Sequence, residues 1–377
     1  MKKIIVFSLA IVMTFTLANF VHANNDKHLE RMTARSYGLG GAFTGLADDV
    51  SAVLFNPAGL AQSGIVGFQV SGGISDLKRD DFEKLSDFAE LLASDDKNYD
   101  DLVNATIPET SVNLQGFAGA NLKSIALSGN INTNIRSLGE SSDYKGTINE
   151  QDITGIVTFA SNIVSPPQGV GALSYGFNLK MTQHTNSEYK INLTDREKVE
   201  KKTTGNSIAV DGGVLAKLTD IFSVGAQIEN LYATDYKMEG TKVTSVYDVG
   251  TEEWIENEPE DIASNQSYRP ERNMRVGAAL EVPLVGIKVS ADLENISIIS
   301  ENDNTIYHLG VQKDLMLGLF SIRAGTYGPM DDGFNSVNSK YTAGVSANLT
   351  KIHIDAAVGS DRDGENITGI LSGRIKF

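Results

Sequence analysis

The 377-residue chain has no cysteine, a single Trp, eight Pro, and only 32 Lys and Arg against 48 Asp and Glu. The missing cysteine excludes a disulfide framework, a thiolate nucleophile, a Cys-containing zinc site and a lipid-modified N-terminal cysteine. With a formal charge of −16, no basic face is available to neutralise phosphates, which argues against a nucleic-acid partner. A mean hydropathy of −0.14 with 41% hydrophobic residues is too low for a bundle of membrane helices, each needing about 20 consecutive apolar residues. A β-barrel is not excluded, because its apolar residues occupy alternate positions only.

The one long apolar run comes first. Lys2 and Lys3 precede residues Ile4 to Ala18, and Val21-His22-Ala23 offers a small-residue cleavage pattern ahead of Asn24. This predicts a cleaved secretory signal peptide over residues 1–23. The mature chain then carries a charge of about −18 once Lys2 and Lys3 leave. An exported chain with no later stop-transfer helix is expected in the periplasm, the outer membrane or the medium.

Most of the remainder alternates with period two. In Leu173-Ser174-Tyr175-Gly176-Phe177-Asn178-Leu179-Lys180-Met181 every odd residue is apolar and every even one small or polar, the template of a strand and not of a helix. The pattern predicts fourteen strands near 65–72, 111–119, 124–133, 150–163, 171–183, 205–217, 221–235, 271–283, 286–299, 304–313, 318–327, 338–348, 351–359 and 366–377. Connections of about 38, 16, 21 and 35 residues alternate with ones of about 4, 7, 3 and 2, as expected when long loops lie on one side of a membrane and tight turns on the other. A soluble sandwich also alternates but has no reason to sort its loops this way. The expected architecture is therefore all-β: a transmembrane antiparallel barrel of about fourteen strands over 65–377, both termini on the turn side. Apolar faces would meet lipid. Lys180, Asp211, Lys217, Glu229, Arg275, Glu281, Lys288, Asp292, Glu294, Arg323, Lys340, Asp355, Arg374 and Lys376 fall on the opposite faces, and their mixed sign predicts charge ladders bracing a polar lumen. Tyr175, Tyr232, Tyr307, Tyr327 and Tyr341 are placed in or near strands as interfacial girdles would require.

Before the first strand lies a glycine-rich segment. Gly38, Gly40, Gly41, Asp48 and Asp49 lead to Asn56-Pro57-Ala58-Gly59. As a nucleotide site it fails, since no strand precedes the glycines and no Gly-Lys-Ser/Thr follows. Glycines here are expected to let backbone pass close to a wall, with Asn56-Pro57 ending a short helix or making a turn. A fourteen-stranded barrel is wide enough to need a filler, and residues 24–64 are the candidate plug.

The stretch from Ala34 to Ala61, with its Gly-Leu-Gly-Gly-Ala, Ala-Asp-Asp and Asn-Pro-Ala-Gly-Leu-Ala elements, resembles the N-terminal region of FadL-type hydrophobic-compound transporters. It is equally similar to the PorV-like secretion barrels and the TraF-like barrel proteins of the same superfamily. The resemblance implies a monomeric outer-membrane barrel with an N-terminal hatch, an extracellular site for amphiphiles and sideways release through the wall. Gly38, Gly40, Gly41, Asn56, Pro57 and Ala58 would belong to the hatch and not to ligand contacts. Phe377 extends the resemblance as the C-terminal residue read by the barrel-assembly machinery.

Two loops depart from a fatty-acid collector. Residues 73–110 hold acidic runs, among them Asp80, Asp81, Asp95, Asp96, Asp100 and Asp101, around an amphipathic helix expected from Phe82, Leu85, Phe88, Leu91 and Leu92. Residues 236–270 hold Glu252, Glu253, Glu256, Glu258, Glu260 and Asp261, and such charge would repel a carboxylate. No loop has EF-hand spacing, and no metal or cofactor is expected. His28, His184, His308 and His353 are scattered. His353 and Asp355 share a strand face without a motif that would place a nucleophile, so the pair is expected to be a polar lumen pair and no catalytic residue is assigned. The sequence thus points to passive uptake of small hydrophobic or amphiphilic molecules. Its rivals are an accessory of a secretion or conjugation system that binds proteins through its loops, and a secreted adhesive β-protein.

Overall fold

Period-two sequences need partners for their backbone groups, and in this protein each of the fourteen wall strands finds them on both sides. The computed structural model describes residues 32–78, 111–137, 144–164, 171–192, 194–251, 253–296, 299, 304–330 and 338–377. The signal peptide expected over 1–23, His28 and the amphipathic helix expected over 82–92 lie outside them. The strands are β1 (Val66–Lys78), β2 (Ser111–Leu122), β3 (Ile125–Ser137), β4 (Tyr144–Val164), β5 (Ala172–Asn192), β6 (Glu197–Lys217), β7 (Phe222–Ala233), β8 (Tyr236–Asp248), β9 (Glu253–Glu256), β10 (Glu260–Tyr268), β11 (Asn273–Val282), β12 (Ile287–Glu294), β13 (Ile306–Leu315), β14 (Phe320–Pro329), β15 (Lys340–Leu349), β16 (Ile352–Asp361) and β17 (Asn366–Lys376).

Fourteen of these, β1 to β7 and β11 to β17, form one closed antiparallel barrel. β1 pairs with β2 on one side and with β17 on the other, and β7 pairs directly with β11. Closure leaves no edge in the apolar layer, where an unpaired backbone group costs several kcal/mol. At the seam the Phe377 carbonyl accepts from Ile65 N at 3.1 Å, and Phe377 N donates to Val66 O at 2.8 Å. All fourteen strands expected from the sequence are present.

The strands differ greatly in length. β12 has 8 residues and β4, β5 and β6 have 21 each. At about 3.3 Å per residue and a tilt near 40°, eight residues span about 20 Å and twenty-one about 50 Å, against an apolar band of about 25 Å. The connections read from sequence as loops over 134–149 and 184–204 are therefore largely continued strand. Their residues, such as His184 to Glu188 and Glu200 to Thr204, are polar on both faces because both faces lie beyond the apolar layer. Without an apolar period the sequence reads as loop, and cross-strand pairs such as Thr185 with Thr204 hold it as sheet instead. The 236–270 segment is likewise not a loop. β8 pairs with the top of β6, and β9 and β10 pair along its other edge. The result is a sheet, in the order β4, β5, β6, β8 and then β9 with β10, that projects from the long-loop end.

Outside, apolar side chains form the belt, including Val70, Leu127, Phe177, Leu179, Val289, Ile322, Val345 and Leu371, all exposed. On the short side the belt continues into the turns, where Leu284 and Leu317 stand fully exposed. Tyr175, Tyr232 and Tyr341 face outward, whereas Tyr307 and Tyr327 are both only 2% exposed and face inward. The latter two are packing residues: Tyr307 Oη lies 2.9 Å from Ser339 Oγ, and Tyr327 stacks on His308.

The belt has a quantitative consequence. Phe177→Arg, near mid-height, is expected to cost about 2–4 kcal/mol and Leu317→Arg, at a turn, about 0–1 kcal/mol. Denaturant titration of protein reconstituted in lipid vesicles measures both, and equal costs would contradict the orientation of the belt.

Candidate functional site

The lumen is where the chain's unusual chemistry collects. Residues 32–64 run through it as two single helical turns, α1 (Ala34–Tyr37) and α2 (Ala52–Phe55), followed by a 3₁₀ turn over Pro57–Gln62. Tyr37, Leu39, Phe43, Leu46, Val50, Val53, Phe55 and Leu60 are buried against wall residues that point inward, Phe117, Ala126, Ile156, Ala279, Tyr327, Ala357 and Ile370. The hydrophobic core of this barrel is thus the contact between segment and wall, each large side chain contributing about 1.5–3 kcal/mol.

The backbone of the segment is held by wall side chains. Asp292 Oδ2 accepts from Phe43 N at 2.9 Å and Thr44 N at 2.8 Å. Thr342 Oγ1 accepts from Gly40 N, Ser372 Oγ accepts from Ala34 N, and Asn178 Nδ2 donates to Val53 O. Ser223 Oγ donates to Gly45 O and Lys376 Nζ to Asp48 O. His308 places Nδ1 at 2.7 Å from Gly40 O and Nε2 at 3.0 Å from Glu294, which also pairs with Arg275. Charges form an alternating chain across the segment. Arg35 pairs with Asp48 and Asp49, Asp49 with Arg374 at 2.9 Å, and Arg374 and Arg323 with Asp355 at 3.0 and 3.3 Å.

Close approach explains the glycines. Gly40 has φ +63°, and a Cβ there would lie 2.6 Å from Thr326 N, so only glycine fits. The wall answers with glycines of its own: a Cβ at Gly325 would overlap Gly40 N, one at Gly310 Leu39 O, and one at Gly213 Asn56. Gly59 faces Ala47 with no room for a side chain. Asn56 follows α2 and caps the next turn, its Oδ1 accepting from Ala58 N, while its Nδ2 donates to Thr44 O and to Val214 O of β6. Pro57 and Ala58 lie against Gly176 of β5. The structure thus gathers Gly38, Gly40, Gly41, Asp48, Asp49, Asn56, Pro57, Ala58 and Gly59 onto the wall of one lumen. Phe377 lies at the seam. His353 and Asp355 take separate partners, His353 with Asn348 and Asp355 with the two arginines.

Above α2, toward the long-loop end, is a cavity of about 100 Å³. Val53 and Leu54 form its floor, and its wall is polar, with Asn130, Asn132, Asp152, Lys180, Asp211, Gln227, Glu229, Asn230 and Tyr236. A β-bulge builds it. Between the pairs Val210–Tyr232 and Gly212–Ile228, β7 carries three residues against Asp211 alone. Asn230 takes φ +50°, and Asp211 Oδ1 accepts its N–H at 2.9 Å, replacing the lost ladder bond. The bulge turns Glu229 and Asn230 inward, where Lys180 Nζ lies 2.8 Å from Asp211, 2.8 Å from Glu229 and 2.9 Å from Asn230. At the rim, His184 Nδ1 lies 2.8 Å from Asp152 under the rings of Tyr236 and Tyr268. Burial, with Asp152 next, pushes the Tyr268 phenol up, so it remains a neutral hydrogen-bond donor at neutral pH. Sequence reading missed this cavity because bulges leave no periodic signal. The Asp211-Gly212-Gly213 run was the one local hint of an irregular strand.

The closed fourteen-stranded barrel is a fold found in solved transporters of hydrophobic compounds. The chain shares this fold with the Ralstonia pickettii toluene transporter TbuX (TM-score 0.64, 11% identity, 93% of this chain and 99% of that one). It also matches the P. putida toluene transporter TodX (0.59, 14%, 93% and 99%) and a Pseudomonas aeruginosa FadL homologue (0.52, 12%, 96% and 100%). In sequence, residues 153–292 match the family of the F plasmid transfer operon TraF protein. No curated protein matches the sequence.

Two substitutions test how the segment is seated. Asp355→Ala leaves Arg323 without its carboxylate, takes one of the two carboxylates from Arg374, and is expected to cost about 3–5 kcal/mol, read from denaturant midpoints in detergent. Gly325→Val drives a side chain into Gly40, and overpacking of about 1–3 kcal/mol should leave the barrel folded but expose residues 32–64 to added protease.

Proposed function

We propose that the protein is an outer-membrane barrel for passive uptake of small amphiphilic or hydrophobic molecules, exported by removal of residues 1–23 and recognised by the barrel-assembly machinery through Phe377. Residues 24–64 act as its plug, and the barrel comprises 65–377. The observation that carries this reading is the folded, wall-anchored segment in the lumen of a barrel whose fold is that of solved hydrocarbon transporters. Gly38, Gly40, Gly41, Asp48, Asp49, Asn56, Pro57, Ala58 and Gly59 are the gating elements, since each contributes to seating the segment. The buried charge chain through Arg374 and Asp355 makes seating an all-or-none matter, because partial withdrawal would leave buried ions unpaired. Cargo meets an acidic cavity first, which disfavours fatty carboxylates.

A second reading has its own support. The TraF family match spans 153–292, and β5, β6, β8, β9 and β10 of the projecting sheet lie within that range. In that reading the sheet binds a protein of a secretion or conjugation system.

Deleting residues 24–64 is expected to raise single-channel conductance in planar bilayers and to speed entry of labelled toluene into vesicles. Unchanged conductance and uptake, together with a stoichiometric protein crosslinked to residues 236–268 in intact envelopes, would favour the second reading.

A further inference from the structure

The cavity over α2 differs from what a hydrocarbon needs, and its polar groups are not all used by the protein. Three carboxylates, Asp152, Asp211 and Glu229, and one ammonium, Lys180, line it. Lys180 is held between Asp211 and Glu229 at 2.8 Å each. Asp152 accepts from His184, and a neutral imidazole donating from Nδ1 leaves that carboxylate charged. The wall therefore carries more negative than positive charge in a part-buried site, where a cation is favoured.

Two amides are also in reserve. Gln227 is 6% exposed and Asn132 3% exposed, and both line the cavity. Among the described residues the Gln227 side chain has no hydrogen-bond partner. Asn132 accepts one from Asn113 at its Oδ1, and among the described residues its Nδ2 has no acceptor. Buried amides are normally satisfied, and leaving one unmade carries a desolvation cost. Groups so placed await an oxygen from outside the chain.

We infer that this cavity binds a small organic ammonium ion that also carries a hydroxyl or carbonyl oxygen, the class of the amino alcohols. The ammonium sits between Asp152 and Glu229, and the oxygen accepts from Gln227 and Asn132. At about 100 Å³ the site suits a ligand of a few non-hydrogen atoms, since drug-sized ligands take about 300–1,000 Å³. A metal ion fits the site less well. Among the described residues no group of three or more acidic or imidazole side chains is placed to hold one. The binding site stands on its own geometry, while its role as a cargo station rests on the transport reading above.

The test uses the full-length protein purified in detergent, with ethanolamine as the probe and propionate, toluene and calcium as competitors, followed by equilibrium dialysis. Saturable ethanolamine binding is expected, undisturbed by propionate or toluene. Asp152→Asn should weaken it about tenfold or more. Gln227→Leu, which touches no ion pair and leaves the barrel intact on an unheated denaturing gel, should weaken it several-fold. Absent binding, equal binding of propionate, displacement by toluene or by stoichiometric calcium, or unchanged affinity in Gln227→Leu would overturn the assignment. Vesicle uptake separates the two proposals. Toluene entry without ethanolamine binding refutes the site and spares transport, and binding without entry of any probe does the reverse.

Discussion

Closure of the sheet is the constraint from which the rest of the molecule follows. In an apolar layer no water is available to pair backbone groups, so each of the fourteen wall strands needs two neighbours. Fourteen strands meet that demand but enclose more volume than their own inward side chains can fill. Residues 32–64 occupy it, and they invert the usual arrangement of a water-filled lumen. Where the segment touches, the wall turns inward apolar or reduces to glycine, as at Ile370, Ala357, Gly310 and Gly325.

Charge and packing hold the segment in different ways. The apolar contacts are non-directional and tolerate small shifts. The pairing of Arg35, Asp49, Arg374 and Asp355 does not, because each member is buried and separation leaves a desolvated ion. The hydrogen bonds from Asp292 and Thr342 add register, fixing which residue of the segment meets which strand. The packing secures occupancy, and the ion chain secures one particular seat.

The wall is lopsided, and function follows the lopsidedness. Its tall side, β4 to β6, rises beyond the apolar layer, recruits β8 to β10 and carries the β7 bulge. Apart from Asn130 and Asn132 of β3, the polar residues of the cavity lie on this side. The short side, β11 to β16, is little more than a membrane wall, its belt continued by apolar turns. A molecule entering from the long-loop end is therefore received beside the tall sheet.

Much was legible in the residues themselves. Alternation of apolar and small or polar residues along each strand marked all fourteen wall strands, because one face of each meets lipid and the other does not. The order of long and short connections set the start of β1 and the end of β17 at one end, and the glycine-rich run over 38–45 announced a backbone lying against a wall. Three features depended on the tertiary structure. Polar residues over 184–204 are strand only because β5 and β6 pair there, with both faces in water and no period to read. Tyr307 and Tyr327 read as interfacial residues, whereas the fold turns both inward, Tyr307 onto Ser339 and Tyr327 onto Tyr37 and His308. The cavity exists because β7 carries extra residues opposite Asp211, a mismatch of register between two strands. Local pattern determines which face a side chain takes, whereas pairing between distant strands decides what that face meets.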